Sequence, residues 1–285
     1  MPSDHAATGV ARSEHTGFWG RVFFYGVIGL FALNLLGMVG SVVVDSFATQ
    51  WFGTWLPPGF TATAYQTIAD DHDLQQLLIT TVLVALLTTI LALIGGLPAA
   101  YMLARHAFRF KPLLLALYTI PMLVPPLVYG IPLATLLLQL GLGGTLAGIV
   151  LINLVPVLPF VILIMVPFLE QIDPSLEAAS RMLGASRLQT LYRILLPLLM
   201  PGLLTAGVLA VVRTVAMFEL TFLIADATTQ TMVVALYADA ISPGIRANQT
   251  IDAMAVVYML TTMSLLVLAL LFVRPTQFVV RIKTR

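Results

Sequence analysis

Long apolar runs leave this chain few ways to fold. The first, Val22 to Val44, reads VFFYGVIGLFALNLLGMVGSVVV, with Asn34 its most polar member; further runs cover about 77–104, 113–138, 145–169, 198–224 and 252–273. A bilayer core about 30 Å thick takes roughly 20 apolar residues as helix. Backbone polar groups in hydrocarbon must be satisfied within the segment, which selects helices for runs of this kind. Six membrane-spanning helices are therefore expected. Composition agrees: 59% of the 285 residues are hydrophobic and 9% are charged, against about 25% charged in a soluble domain. The fold class read from this is an all-α membrane protein. The first run exceeds the roughly 7–15 apolar residues of a signal-peptide core and lacks an A-x-A site, so it reads as an uncleaved anchor.

Charge decides how such helices are oriented, since short cytoplasmic loops collect lysine and arginine. The N-terminal tail has Arg12 and Arg21, the next loop on that side Arg105, Arg109 and Lys111, and the third Arg181, Arg187 and Arg193. Arg274, Arg281, Lys283 and Arg285 follow the last run. With six alternating helices these lie on one face, leaving Arg246 alone on the other and Arg213 inside a run. The segment 45–76 has no lysine or arginine but carries Asp45, Asp70, Asp71 and Asp73. Both termini are thus expected in the cytoplasm. The polar tail 1–20 is expected to be disordered, and the first helix to occupy 21–45. The acidic outer segments either follow from this charge rule or meet a partner outside.

The loop between the fourth and fifth runs is the most structured polar segment. Asp173-Pro174 reads as a helix start, an N-cap carboxylate followed by proline at the first helical position. Leu176, Ala179 and Leu183 form an apolar stripe at helical spacing. Glu177 and Arg181 stand at i,i+4 with the acid first, a pairing that stabilises a helix weakly. Gly184 supplies a stop through positive φ. Ser186 and Gln189 fit a capping box for a second helix, whose apolar face is Leu188, Leu191 and Leu195, and Pro197 and Pro201 mark the start of the fifth span. Two short helices joined at a glycine either lie flat in the membrane interface or dock in the groove of a soluble partner.

With Glu177-Ala178-Ala179 as a triplet, Gly184 at the turn, Ala185 after it and Ile194-Leu195-Leu196-Pro197 at the close, the loop resembles the pattern E-A-A-x(3)-G-x(9)-I-x-L-P. The expectation is a match at every fixed position. That pattern marks permease subunits of type I ATP-binding-cassette importers (the MetI-like fold), and the resemblance covers about 75–273. It implies a six-helix permease with a coupling helix between helices 4 and 5. Glu177, Ala178, Ala179, Gly184, Ala185, Ile194, Leu196 and Pro197 would then form the segment coupled to a cytoplasmic ATPase. The resemblance also implies a second permease subunit, identical or homologous, an ATPase dimer and an extracytoplasmic solute-binding protein, with 274–285 as a cytoplasmic tail. No nucleic-acid partner is expected.

The chain has no G-x-x-x-x-G-K-[ST] phosphate loop, since neither Lys111 nor Lys283 follows a glycine. ATP, on this reading, is bound by the partner, and no cofactor is expected here. There is no cysteine, and His5, His15, His72 and His106 lack metal-ligand spacing, so neither catalysis nor a metal site is expected.

Prolines crowd the runs that would line a path: Pro121, Pro125, Pro126 and Pro132 in the third, Pro156, Pro159 and Pro167 in the fourth. Gly144 and Gly148 form a G-x-x-x-G, a weak signal for close helix packing. Arg213 and Glu219 are candidate translocation-path residues, because a charge in hydrocarbon costs about 2.5–3.5 kcal/mol on insertion scales and needs a partner or water. At about 1.5 Å per residue, Arg213 lies about 24 Å beyond Pro197, somewhat outward of the midplane, with Glu219 near the outer boundary. On one continuous helix the two would diverge by about 120°. Arg213 either pairs with an acid elsewhere or flanks the path with Glu219. The expected solute is small and polar, polyamine-like first, with phosphonate, sulfate, ferric iron or an opine as alternatives. An ion-gradient-driven secondary transporter is the competing class, for which Glu219 and Asp252 would have to carry coupling.

Overall fold

The computed structural model describes residues 16–51, 53–71, 73–241 and 247–272. The tail 1–15, His72, Arg246 and residues 273–285 lie outside them, and so does the part of the charge argument that rests on Arg12, Arg246 and the C-terminal basic residues.

Among the described residues, five helices are long and apolar enough to cross a membrane. They are α1 (Thr16–Ser46), α3 (Leu74–Arg105), α6 (Leu146–Glu170), α9 (Leu196–Val215, continuing a helix that begins at Arg187) and α12 (Asn248–Phe272). A bent pair, α4 (Lys111–Leu123) and α5 (Pro126–Gln139), turned by 93° at its break, passes the same test when the two are taken together. The expected third span is therefore not one helix. Its break follows from Pro125-Pro126: a residue before proline is pushed out of the helical region. Val124 has ψ 134° and Pro125 ψ 132°, both extended. Pro156, Pro159 and Pro167 leave α6 unbroken, enclosed by its neighbours.

Helices α3, α6 and α9 pack together as the centre of the molecule. One apolar cluster fills the end where α3 finishes, from Ala100 and Leu103 of α3, Val161, Met165 and Leu169 of α6, and Leu195 and Leu199. A second, toward the opposite end, joins Val84, Ile149, Ile152, Leu220 and Ile224. Close approach of α3 to α6 depends on Gly96, where an added Cβ would stand 3.0 Å from Val161 Cγ1. The two sets differ sharply in exposure: 61% of the most apolar window of α6 is buried, against 0% for α1. A helix that is apolar all round and uncovered by its own chain faces lipid or another subunit.

α2 (Thr63–Asp71), α11 (Met232–Ala240), the start of α3 and the second turn of α12 form a third cluster around Ile68, Met232 and Met254. This lies at the acidic end, away from the basic residues of 105–111 and 170–197. The Gly144/Gly148 pair marks close packing against the turn at Ile224 rather than against another helix: the Gly144 amide donates to Ile224 O at 2.9 Å, and a Cβ at Gly148 would stand 3.2 Å from Ile224 Cδ1. Gly144 precedes Thr145, whose side chain caps α6 by accepting from the Gly148 amide at 3.0 Å.

Candidate functional site

The loop 171–197 begins as its sequence dictates. Asp173 accepts a hydrogen bond from the Ser175 amide at 2.8 Å, Pro174 opens α7 (Pro174–Met182), and that amide and the Ser175 hydroxyl hold the Asp173 carboxyl below its ordinary pKa. α7 ends at Gly184, with φ +82°. The Gly184 amide donates to Arg181 O (3.0 Å) and the Ala185 amide to Ser180 O (3.1 Å), the paired closure that a left-handed residue after a helix permits. Ser186 and Gln189 then exchange reciprocal bonds, Gln189 Oε1 accepting from the Ser186 amide at 2.8 Å and Ser186 Oγ from the Gln189 amide at 3.2 Å. This caps α8 (Arg187–Thr190).

From there the structure departs from the expectation. The second helix does not stop before the fifth span but runs through a π-helical turn, Leu191–Leu195, straight into α9. Proline in an α-helix collides with the carbonyl four residues back, here that of Arg193. The wider turn, in which the Leu196 amide reaches Leu191 O, keeps the helix continuous past Pro197. Helix α8 and the fifth span are one rod.

On α7 the apolar face is the exposed one. The buried residues are the polar ones, Glu177 and Ser180. Leu176 is 43% exposed, Met182 and Leu183 each 89%, and on the following helix Leu188 is 63% and Tyr192 60% exposed; Ala178 and Ala179 are exposed as well. Of the remaining predicted residues, Ala185, Ile194 and Leu196 are half-buried and Pro197 is exposed.

Glu177 does not make the expected i,i+4 ion pair. Its Oε1 accepts from Arg105 Nε at 2.7 Å and its Oε2 from the Tyr101 hydroxyl at 2.6 Å, both from the last turns of α3. The side chains of Arg105 and Glu177 are 9% and 10% exposed. Arg181 instead donates Nε–H to the Glu177 main-chain carbonyl at 3.2 Å. The loop is also out of step with the E-A-A pattern. Four residues, Ser180, Arg181, Met182 and Leu183, separate Ala179 from Gly184, one more than the pattern allows. In step with Gly184 the triplet positions fall on Ala178, Ala179 and Ser180, so Glu177 stands one position before the pattern's acid and about 100° round the helix from it. The later positions, Gly184 to Ile194, Leu196 and Pro197, keep the pattern's spacing. Beside this contact a cavity of about 540 Å³ is lined by Tyr101, His106, Glu177, Arg181 and Arg187 among others.

The two charges of the fifth run are also rearranged. α9 ends at Val215, and Glu219 opens a separate short helix, α10 (Glu219–Phe222). With the helix broken between them, the divergence of about 120° expected on one continuous helix no longer applies. The Arg213 guanidinium lies over the Phe160 ring, 5.1 Å from its centroid, and its Nε has no hydrogen-bond partner among the described residues. Sequence reasoning missed an aromatic cluster built on the chain neighbours of Glu219: Phe218, Phe222 and Tyr237 pack with centroids 4.5 to 5.5 Å apart. The FELTF run held two of them at helical spacing; Tyr237 comes from α11 and carried no local signal.

Against known proteins, the sequence model of the binding-protein-dependent transport system inner membrane component matches residues 96–278. The chain is 33% identical over 160 residues to the sulfoquinovosyl glycerol transport system permease protein SmoH of Agrobacterium fabrum, a match covering 56% of each protein. It is 31% identical over 218 residues to the spermidine/putrescine transport system permease protein PotB of Escherichia coli, covering 70% of this chain and 77% of that one. In three dimensions it resembles a chain in the crystal structure of a bacterial ABC transporter involved in the import of the acidic polysaccharide alginate. The TM-score is 0.73 over 94% of this chain and 99% of that one, and at 19% identity the likeness is one of fold. With the family model matched over well over half of its residues, this chain belongs to the binding-protein-dependent transport system inner membrane components.

Proposed function

We propose that this protein is the permease subunit of an ATP-binding-cassette importer and that α7 with its glycine turn is the helix a separate ATPase grips. The observation that carries this is the exposed apolar face. Met182 and Leu183 stand at the tip of the loop, 89% exposed, while the polar Glu177 and Ser180 are turned inward. A helix lying in lipid would also expose apolar residues, but its charged side chains would form the opposite face; here an acid is spent on an internal contact. Exposed leucine and methionine beside two alanines form the surface that inserts into a protein groove. A second permease, two ATPase subunits and an external solute-binding protein complete the machine, and the basic end faces the cytoplasm of a bacterial cell. We expect Leu183→Glu to accumulate in membranes at the parental level and to lose the ATPase on affinity purification. Retention of a stoichiometric ATPase in that variant would sink the assignment, and an ion-gradient carrier would bring down no ATPase at all.

The path runs past Arg213 and Glu219. A polyamine-like cation is the first solute, supported by the acid of Glu219 and the aromatic cluster built on its chain neighbours, Phe218, Phe222 and Tyr237, since rings and a carboxylate attract ammonium groups. The PotB relative supports it too. An anionic solute, a phosphonate, sulfate or opine, is favoured instead by Arg213, whose guanidinium has no carboxylate partner among the described residues. Stimulation of ATP hydrolysis by spermidine, or by sulfonate and phosphonate compounds, in the assembled transporter with its binding protein separates the two.

A further inference from the structure

We infer that Glu177 is a positioning residue that joins the coupling helix to α3, so that movement of α7 is delivered to two spanning helices at once. This rests on the permease reading above but assigns Glu177 a role opposite to contact with the ATPase.

The carboxylate is fully engaged inside its own chain. Arg105 and Tyr101 sit at i and i+4 from one another on α3, hence on one face, and each supplies a donor to a different oxygen of Glu177, at 2.7 and 2.6 Å. These partners lie 72 and 76 residues earlier in the chain, so the contact spans elements rather than shaping α7 locally. A second tie leaves the same helix on its next turn: the Ser180 and Thr190 hydroxyls are hydrogen-bonded at 2.8 Å, both buried. Thr190 is at the foot of the rod that becomes α9. Helix α7 is therefore fixed to α3 through Glu177 and to α9 through Ser180. Those two helices pack against α6 and against each other as the centre of the fold.

Stability alone is a poor reason for this pair. A buried ion pair regains little more than its desolvation cost, and apolar side chains of similar size would hold the helices as well. What charge adds is direction: two charge-assisted bonds at fixed angles resist both sliding and separation. The cavity beside the carboxylate leaves one flank of α7 unpacked, so the polar ties rather than close packing transmit the load on that side.

The test uses the assembled transporter in proteoliposomes, with Glu177→Ala, Arg105→Ala and the double variant. Three quantities are read: ATPase recovered on affinity purification, ATP hydrolysis stimulated by the loaded binding protein, and solute moved per ATP hydrolysed. We expect ATPase recovery unchanged in all three, solute per ATP lowered at least tenfold in each single variant, and the double variant no worse than either, as coupled residues behave. If the alanine variants fail to accumulate, Glu177→Gln and Arg105→Lys, which keep size and part of the hydrogen bonding, serve the same comparison with a smaller loss. Loss of ATPase recovery on changing Glu177 would make it a docking contact and overturn the inference. Unchanged solute per ATP, or losses that multiply in the double variant, would overturn it too. Absence of any ATPase from the parental protein would instead refute the permease reading itself.

Discussion

Gly184 shows how much a single backbone angle carries. Its φ of +82° closes α7, and a Cβ added there meets nothing within 4 Å. The cost of a side chain is therefore conformational, about 1–2 kcal/mol for alanine, and Gly184→Ala should lower uptake severalfold while membrane accumulation stays constant. Proline fixes φ near about −65°, so Gly184→Pro should abolish uptake in ATP-loaded vesicles without affecting insertion. Glu177→Lys should do the same, for it sets a second cation beside Arg105. At the other end, the Thr228 and Thr229 hydroxyls and the Thr228 amide donate to Asp226 and hold its carboxyl below the ordinary value of 3.8. A depressed folded pKa stabilises the turn above the unfolded pKa, and that contribution is lost as pH falls through the folded value. Amide exchange at Thr228 and Thr229 should thus be flat from about pH 5 to 8, after correction for intrinsic rate, and accelerate below about pH 4. Asp226→Asn should abolish that acid dependence; its persistence would show that another group is responsible.

Elements succeed or fail here by how prolines and glycines are placed. Tandem proline breaks the third span at Val124 because two successive residues are driven extended, whereas spaced prolines inside α6 are accommodated. Gly96 sets the separation of α3 and α6, and its Cβ would have to displace the β-branched Val161. Gly96→Leu should overpack this seam at a cost of about 1–3 kcal/mol, read as a lowered Tm of the detergent-solubilised protein. Gly207→Ala is the control: the nearest side-chain atom to its Cβ is Leu93 Cδ1 at 3.6 Å, an ordinary contact, and alanine favours helix by about 1 kcal/mol. Its Tm should hold or rise. A drop as large as that of the leucine variant would mean that the seam is not what limits stability.

At the scale of the whole molecule, orientation is open to a direct test because the chain has no cysteine. Leu183→Cys should react with an impermeant maleimide only from the cytoplasmic side, and Trp55→Cys, at a position 98% exposed at the acidic end, only from outside; the reverse pattern would invert the topology. Much of this architecture was legible in the sequence. Apolar runs of bilayer length gave the spans, and the caps at Asp173 and Ser186 and the turn at Gly184 were readable because such signals act within four residues. The stripe Leu176–Ala179–Leu183 was readable and stands exposed, but the internal pairing of Glu177 was not, since local spacing pointed to Arg181. What turned Glu177 inward was a pair of donors more than 70 residues away on α3. The break between Arg213 and Glu219 was hidden for a related reason: spacing on a helix predicts direction only while the helix is unbroken. Local chemistry, acting through backbone angles and hydrophobic length, thus determined which segments cross and where they begin and end. Contacts between distant segments decided which faces meet and which charges are paired, because burial and pairing exist only once helices remote in sequence have come together.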